Sequence, residues 1–234
     1  MTSPANSGDR ASDVKSTFYV QFGKRWLDLA FSIPGIVLLS PVLIGAAVSI
    51  RLSSRGPVLF RQVRVGKNGE TFHILKFRTM IENESAGATL VTAANDRRIT
   101  PVGRFLRNTK IDELPQLWNV ICGDMSLVGP RPEVPKFTSH YTAAQRTVLL
   151  AKPGVTGPAA IAFVNEEEIL AQQSDAELFY RSTVLPSKLQ LDLAYCGNIC
   201  LSNDMRLLFS TVGKLFGLKR ALPRVEPVQS EIIS

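Results

Sequence analysis

Asp112 and Glu113 stand side by side, preceded by Arg104, Arg107 and Lys110 and followed by Leu114, Leu117, Trp118 and Val120 at helix-like spacing. Cations gathered at the start of a helix favour an anion, and phosphate suits both the guanidinium groups and the helix end. The same charges are expected to keep Asp112 ionised, as a nucleophilic carboxylate must be. Asp112 is expected at the helix N-cap, accepting backbone N–H bonds, with Pro115 tolerated in the first turn. Carboxylates beside phosphates also invite Mg²⁺, held by a few protein oxygens and completed by phosphate oxygens, which makes Asp112 and Glu113 candidate metal ligands. The plainer alternative is an acidic pair that merely caps an amphipathic helix.

A second cationic candidate follows in Gly129-Pro130-Arg131-Pro132. Two prolines stiffen the backbone around Arg131, so its guanidinium can meet a phosphate with little loss of entropy; a rigid turn with an exposed arginine is the competing reading. Lys152-Pro153-Gly154-Val155-Thr156-Gly157 reads as a glycine-punctuated turn. His73 and His140 are the only histidines, and the three cysteines (Cys122, Cys196, Cys200) form no C-x-x-C pair. Neither a zinc site nor a disulfide framework is expected, which suits a reducing compartment.

These groups need elements to hold them. The chain has 234 residues, 45% hydrophobic and 20% charged, with 16 Gly and 14 Pro. That is enough for one sizeable core and excludes a collagen-like or wholly disordered polymer. Residues 1–16 are polar and Ser-rich and read as a disordered tail. Residues 29–50 then carry no formal charge. A straight helix of that length reaches ~33 Å, against ~30 Å for a hydrocarbon layer, so a membrane segment leads over a buried core helix.

Ser40-Pro41 lies at the middle of that run, where proline removes a helix hydrogen bond. Lys24 and Arg25 precede the run and Arg51 and Arg55 follow it, so a spanning helix leaves one cationic cluster on the wrong side. A helix that enters, breaks at Ser40-Pro41 and returns satisfies both clusters, with the Ser40 hydroxyl bonding a freed carbonyl. A kinked helix that spans fully is the alternative, and the physics alone does not separate them.

The whole chain carries +7, which favours anionic partners, but the charge is local. Residues 51–110 hold twelve basic against four acidic residues. This excess is expected to stand on anionic lipid headgroups, with some cations reserved for a substrate's phosphates. A nucleic-acid partner is disfavoured, since no reading motif or aromatic-interleaved basic patch is present. Residues 58–77 read as a β-hairpin turning at Gly66-Lys67-Asn68-Gly69, with His73 a strand-face residue rather than a ligand. Residues 82–95 read as a loop or lid, and 205–218 as a helix that packs on the domain or lies on the membrane.

With the apolar run and its Ser40-Pro41, five motifs occur in order: Lys76-Phe77-Arg78-Thr79-Met80, Asp112-Glu113-Leu114-Pro115-Gln116-Leu117-Trp118-Asn119, Gly123-Asp124-Met125-Ser126, Gly129-Pro130-Arg131-Pro132 and Pro153-Gly154-Val155-Thr156-Gly157. Together they resemble the bacterial sugar transferases, the monotopic polyprenyl-phosphate phosphoglycosyl transferases that start capsule, exopolysaccharide and glycoprotein glycan assembly. The resemblance runs over about residues 24–218.

It implies an α/β fold, mostly α with a small β-hairpin, organised as a tail (1–18), a re-entrant membrane helix (19–56), a compact cytoplasmic catalytic domain (57–220) and a second tail (221–234). It implies that Asp112 attacks the sugar-bearing phosphate of a UDP-sugar, that UMP leaves, and that polyprenyl phosphate (undecaprenyl phosphate) then takes the phosphosugar. Glu113 is implied as a Mg²⁺ ligand or electrostatic partner, and Arg107, Arg131 and Asp192 as the substrate-phosphate group. A homodimer on the cytoplasmic face of the bacterial inner membrane is the implied setting. The chain departs from the commoner pattern after Gly157, where Pro158-Ala159-Ala160-Ile161-Ala162-Phe163-Val164-Asn165-Glu166-Glu167-Glu168 stands in place of a Trp-Ala-Gln-Val run and a later arginine near Val164, and Lys152 replaces an arginine. These departures bear on nucleotide and sugar preference. A non-catalytic membrane-anchored scaffold, and a transferase that binds both substrates without a covalent intermediate, are the competing functions.

Overall fold

The computed structural model describes residues 18–81 and 96–215; the expected loop at 82–95, the expected tails apart from residue 18, and the end of the last helical repeat lie outside them. A π-helical turn, Tyr19–Gly23, runs into α1, Lys24–Ser53, giving one helix of 35 residues. Pro34 and Pro41 both lie inside it. Pro41 has no N–H to give to Val37, and the Ser40 hydroxyl donates to that Val37 carbonyl at 2.7 Å instead. The hydroxyl has the expected role, but helical structure continues through Ser40-Pro41 where a break was expected.

Only 11% of the most apolar stretch of α1 is buried, which excludes a core helix. Trp26, Val37, Leu38, Ile44 and Leu52 are among its exposed apolar side chains. Both ends nevertheless pack on the rest of the chain. At the start, Lys24, Asp28 and Ser32 are buried; near the finish, Ala46 and Ile50 join Phe77 and Leu106 in a small apolar cluster.

The expected hairpin is present as β1, Leu59–Val65, and β2, Thr71–Phe77, paired antiparallel from Leu59↔Phe77 to Val65↔Thr71. Its turn is a 3-10 turn over Lys67–Gly69 in which Asn68 takes φ 57°, a left-handed conformation that asparagine tolerates. His73 is exposed on the strand face, as expected. The chain then forms α2, Pro101–Asn108, capped by Thr100 Oγ1 accepting from Gly103 N at 2.9 Å, a 3-10 turn over Ile111–Glu113, and α3, Gln116–Cys122.

After α3 come β3, Ser126–Val128; α4, Pro135–Thr138; α5, Ala143–Arg146; β4, Gly154–Thr156; and α6, Pro158–Ala162. The rest is α7, Glu166–Ala171; α8, Ala176–Phe179; α9, Leu185–Cys196, entered through a π-turn at Tyr180–Val184; and α10, Leu201–Leu215. β3 and β4 pair in parallel, a contact that two turn-like segments did not announce. The glycines explain it: a Cβ on Gly154 would lie 2.1 Å from Gly129 N, so the two backbones meet only where neither carries a side chain.

Val120, Met125, Val128 and Leu170 lie at the centre of the main core, each at most 1% exposed and each contributing ~1.5–3 kcal/mol by burial. α10 packs on this core through Leu207 and Leu208, while Phe209 and Val212 remain exposed. Cys122, Cys196 and Cys200 are free thiols.

Candidate active site

The site forms where α2 stops and α3 begins. Lys110 takes φ 58°, which turns the chain out of α2 and into the 3-10 turn that carries Asp112 and Glu113. Asp112 is therefore not the N-cap of α3; Pro115 holds that position and makes no side-chain cap bond. The expected backbone bonds to Asp112 Oδ1 are absent, because the residue sits in the 3-10 turn before α3 rather than at its cap.

Asn119 fixes this segment against β2. Its Oδ1 accepts from Leu75 N at 3.0 Å and its Nδ2 donates to His73 O at 2.8 Å, extending the β2 ladder by one side chain. Strand alternation then matters: Phe72, Ile74 and Lys76 share the inward face of β2. Lys76 thus reaches Glu113, with Nζ 2.7 Å from Oε1, and Arg131 Nη2 reaches the same oxygen at 3.0 Å.

The neighbouring carboxylates are shifted in opposite directions. Burial works against an ionised Glu113, but Lys76 and Arg131 overcome it and hold its pKa well below the usual carboxylate value. Asp112 is 8% exposed, and its Oδ1 is buried without a hydrogen-bond partner. Burial first, and the Glu113 charge second, push its pKa up to about 6; Lys76, Arg107 and Lys110 act in the opposite sense. The cations moderate the shift rather than suppress it, contrary to the simple expectation. Asp112 is still mostly ionised at pH 7, but it is the more basic oxygen of the pair and the one with no partner.

Arg107 lies close enough to act on Asp112, and it is engaged: Nε donates to Thr79 Oγ1 at 2.8 Å and Nη1 to Glu167 Oε1 at 2.8 Å. Arg131 comes from the loop after β3, and the Glu113 charge raises its pKa. Asp192, expected among the phosphate ligands, stands behind that loop. Its Oδ2 accepts from Arg131 N at 3.1 Å and its Oδ1 from Ala159 N at 3.3 Å. Both oxygens are spent on backbone donors and the residue is buried, so it positions Arg131 rather than meeting an anion itself. Beneath it Glu133 gathers Tyr180, Lys188 and Arg64, a buried network that stiffens the loop from below.

The root of α1 also reaches the site's supports. Arg25 donates to Val120 O at 2.6 Å and to Ile121 O at 2.8 Å, taking up carbonyls at the end of α3. Asp28 Oδ1 accepts from Ser126 Oγ at 2.9 Å and from Leu127 N at 2.8 Å, clamping β3. Ser40 and Pro41 lie farther along the same helix. Sequence reasoning quoted Lys76 and Thr79 only as members of a motif, Arg25 only as a flanking charge and Glu167 only within the departing run, assigned none of them a role in the site, and did not name Asp28. Lys76 had a legible signal, a lysine at the inward parity of a strand; the others depend on contacts distant in sequence.

Among the described residues no group of three or more His, Cys, Asp or Glu side chains converges as a metal site. A hard divalent cation still fits, since Asp112 Oδ1 has no partner and Glu113 commits only Oε1 to its cations. Such an ion would take most of its oxygen shell from a diphosphate and water.

Comparison with known proteins places the chain among sugar-phosphate transferases. The model of a family described as bacterial sugar transferase matches residues 19–217. The chain is 36% identical over 202 residues to a UDP-glucose:undecaprenyl-phosphate glucose-1-phosphate transferase of Klebsiella pneumoniae, a match covering 85% of this chain and 41% of that protein. It is 35% identical to a UDP-N-acetylgalactosamine-undecaprenyl-phosphate N-acetylgalactosaminephosphotransferase of Aeromonas hydrophila, covering 82% of this chain and 43% of that one. A UDP-glucose:undecaprenyl-phosphate glucose-1-phosphate transferase of Caulobacter vibrioides is 39% identical, with 75% and 73% covered. The chain thus spans about two-fifths of the length of the first two relatives and nearly three-quarters of the third.

Proposed function

The chain belongs to the bacterial sugar transferase family, and from that footing we propose that it moves a phosphosugar from a UDP-sugar to a polyprenyl phosphate through a covalent intermediate on Asp112. The observation that carries the proposal is the buried Asp112 oxygen that has no partner. An unpartnered buried carboxylate oxygen costs stability, which a scaffold has no reason to bear and a nucleophile does.

In the first step an Asp112 oxygen attacks the phosphorus that bears the sugar. The bond from that phosphorus to the bridging oxygen breaks, and UMP leaves with the oxygen and its electron pair. In the second step a phosphate oxygen of the lipid attacks the same phosphorus, the bond to Asp112 breaks, and the carboxylate is restored. Arg107 and Arg131 spread the negative charge of the transferring group, and Glu113 holds Lys76 and Arg131 beside it. Asp112 and Glu113 would hold Mg²⁺, which when bound neutralises the diphosphate oxygens.

The lipid acceptor calls for a carboxylate at headgroup height. α1 supports this: its flank is apolar and exposed, yet both its ends pack on one domain, as a helix that dips into one leaflet and returns would require. The domain then lies on the cytoplasmic face of the inner membrane, its basic segment against anionic headgroups, at the first membrane step of exopolysaccharide or glycan assembly. Glucose and N-acetylgalactosamine are the candidate sugars, since relatives named for each are almost equally similar to this chain.

Incubation with a UDP-sugar and Mg²⁺, without a lipid acceptor, tests the intermediate. One UMP per chain and a phosphosugar-labelled Asp112 peptide are expected. UMP release that requires the lipid would overturn the covalent mechanism.

A further inference from the structure

Arg107 has two of its three donor nitrogens committed, one to Thr79 and one to Glu167. A guanidinium grips an oxyanion through one of two edges, Nε with Nη2 or Nη1 with Nη2. Thr79 takes a place on the first edge and Glu167 a place on the second, so neither edge is open for a bidentate contact.

These partners differ in how readily they yield. Thr79 is buried, and its carbonyl is bound by Thr100 N at 3.0 Å, so it is fixed on both sides. The Glu167 side chain is 42% exposed and stands in the first turn of a six-residue helix. Glu166, next to it, is already engaged with Lys188 at 2.9 Å and cannot replace it on Arg107 without giving up that pair. An ion pair as exposed as that of Glu167 is weak and exchangeable. A diphosphate carries more charge than a carboxylate and matches the open fork better.

Resting on the reading of Arg107 as a phosphate-facing cation, we propose that Glu167 is a specificity-determining residue: its carboxylate occupies the end-on edge of Arg107 and gives way only to the diphosphate of a nucleotide sugar. The side chain acts as a resident competitor. A ligand with a single weakly charged oxyanion does not dislodge it, whereas a nucleoside diphosphate does. Its return to Arg107 once the diphosphate has been split helps to expel the nucleoside monophosphate.

The test uses the full chain in detergent micelles and UDP, which carries the diphosphate but no sugar to transfer, titrated by calorimetry into wild type, E167Q and E167A. Glutamine keeps the length and the acceptor oxygen without the charge; alanine removes both. If Glu167 competes, both variants bind UDP about two- to fivefold more tightly than wild type, the range expected for an exposed ion pair. Inhibition by UMP tightens by a larger factor than UDP binding in both variants, and an equal factor for the two ligands would overturn the specificity role. Weaker binding by E167A with E167Q unchanged would mean that Glu167 orients Arg107 instead, and would overturn the proposal. Equal affinities in all three chains, or binding by none, would overturn it too. The UMP burst described above reports on the transferase reading separately, so a normal burst with unchanged UDP affinities sinks this inference alone.

Discussion

Lys76 Nζ lies 2.7 Å from Glu113 Oε1, while Asp112, one residue earlier in the chain, has a buried oxygen with no partner. One carboxylate of the pair spends its charge holding cations in place, and the other has no such partner. Asp112 and Glu113 are therefore not interchangeable, and their replacement should have different consequences.

Asp112→Asn should abolish UMP release, with a loss of at least about a thousandfold if the side chain is the nucleophile. It should not destabilise the fold. Removing a buried charge whose pKa is pushed up to about 6 should stabilise the chain at pH 7 by about 1–3 kcal/mol, seen as a rise in Tm. Glu113→Gln should do the opposite for stability, by about 2–4 kcal/mol, since Lys76 and Arg131 would lose their shared anion. A fall in Tm for Asp112→Asn would contradict the unpartnered site.

The pH dependence follows from the same shift. The folded chain holds the Asp112 proton more tightly than the unfolded chain, whose carboxylate titrates near 3.8. This group therefore lends stability at low pH that is lost as pH rises between about 4 and 6. Activity should run the other way if Asp112 supplies the attacking oxygen, which must be ionised. kcat/KM for the UDP-sugar should fall below pH about 6, approaching tenfold per pH unit, and level off above pH 7.

Asp192→Asn should weaken the site without removing it. Asparagine has one acceptor oxygen for the two backbone N–H groups of Arg131 and Ala159, and its own NH₂ would face the other. Burial pushes the Asp192 pKa up to about 7, so losing its charge costs little at pH 7 and the mismatched NH₂ decides the sign. A stability loss of about 1–3 kcal/mol is expected, with KM for the UDP-sugar rising more than kcat falls as the Arg131 loop shifts. Steady-state kinetics by UMP release, with thermal unfolding alongside, separate this positioning role from direct phosphate binding.

Membrane topology can be read at the ends of the long helix. Phe22→Cys and Leu52→Cys, at exposed positions on either side of the apolar run, should react with an impermeant maleimide from the same side of the membrane once Cys122 and Cys200 are replaced by serine. Labelling from opposite sides would mean a spanning helix and would remove the basis for holding Asp112 at headgroup height.

Much of this architecture was legible before folding. Local patterns carried it: the uncharged run at 29–50, the alternating hairpin residues around Gly66-Lys67-Asn68-Gly69, and the helical repeat of the last segment. Each of those signals lies within one element. The parallel pairing of β3 with β4 was not legible, because it joins two short segments that each read as turns. Ser40 bonding Val37 was legible, since donor and acceptor lie three residues apart on one helix.

Residue order set which carboxylates and cations were available and put an apolar run upstream of them. Folding then settled how they were shared out. It gave Lys76 and Arg131 to Glu113, turned Asp192 toward backbone donors, and left Asp112 buried and unpartnered. The reason is physical: a side chain's charge state depends on burial and on which opposite charges come within a few ångströms. Residues as far apart as Arg25 and Val120, or Arg107 and Glu167, meet only when the core packs, so no local pattern encodes their contact.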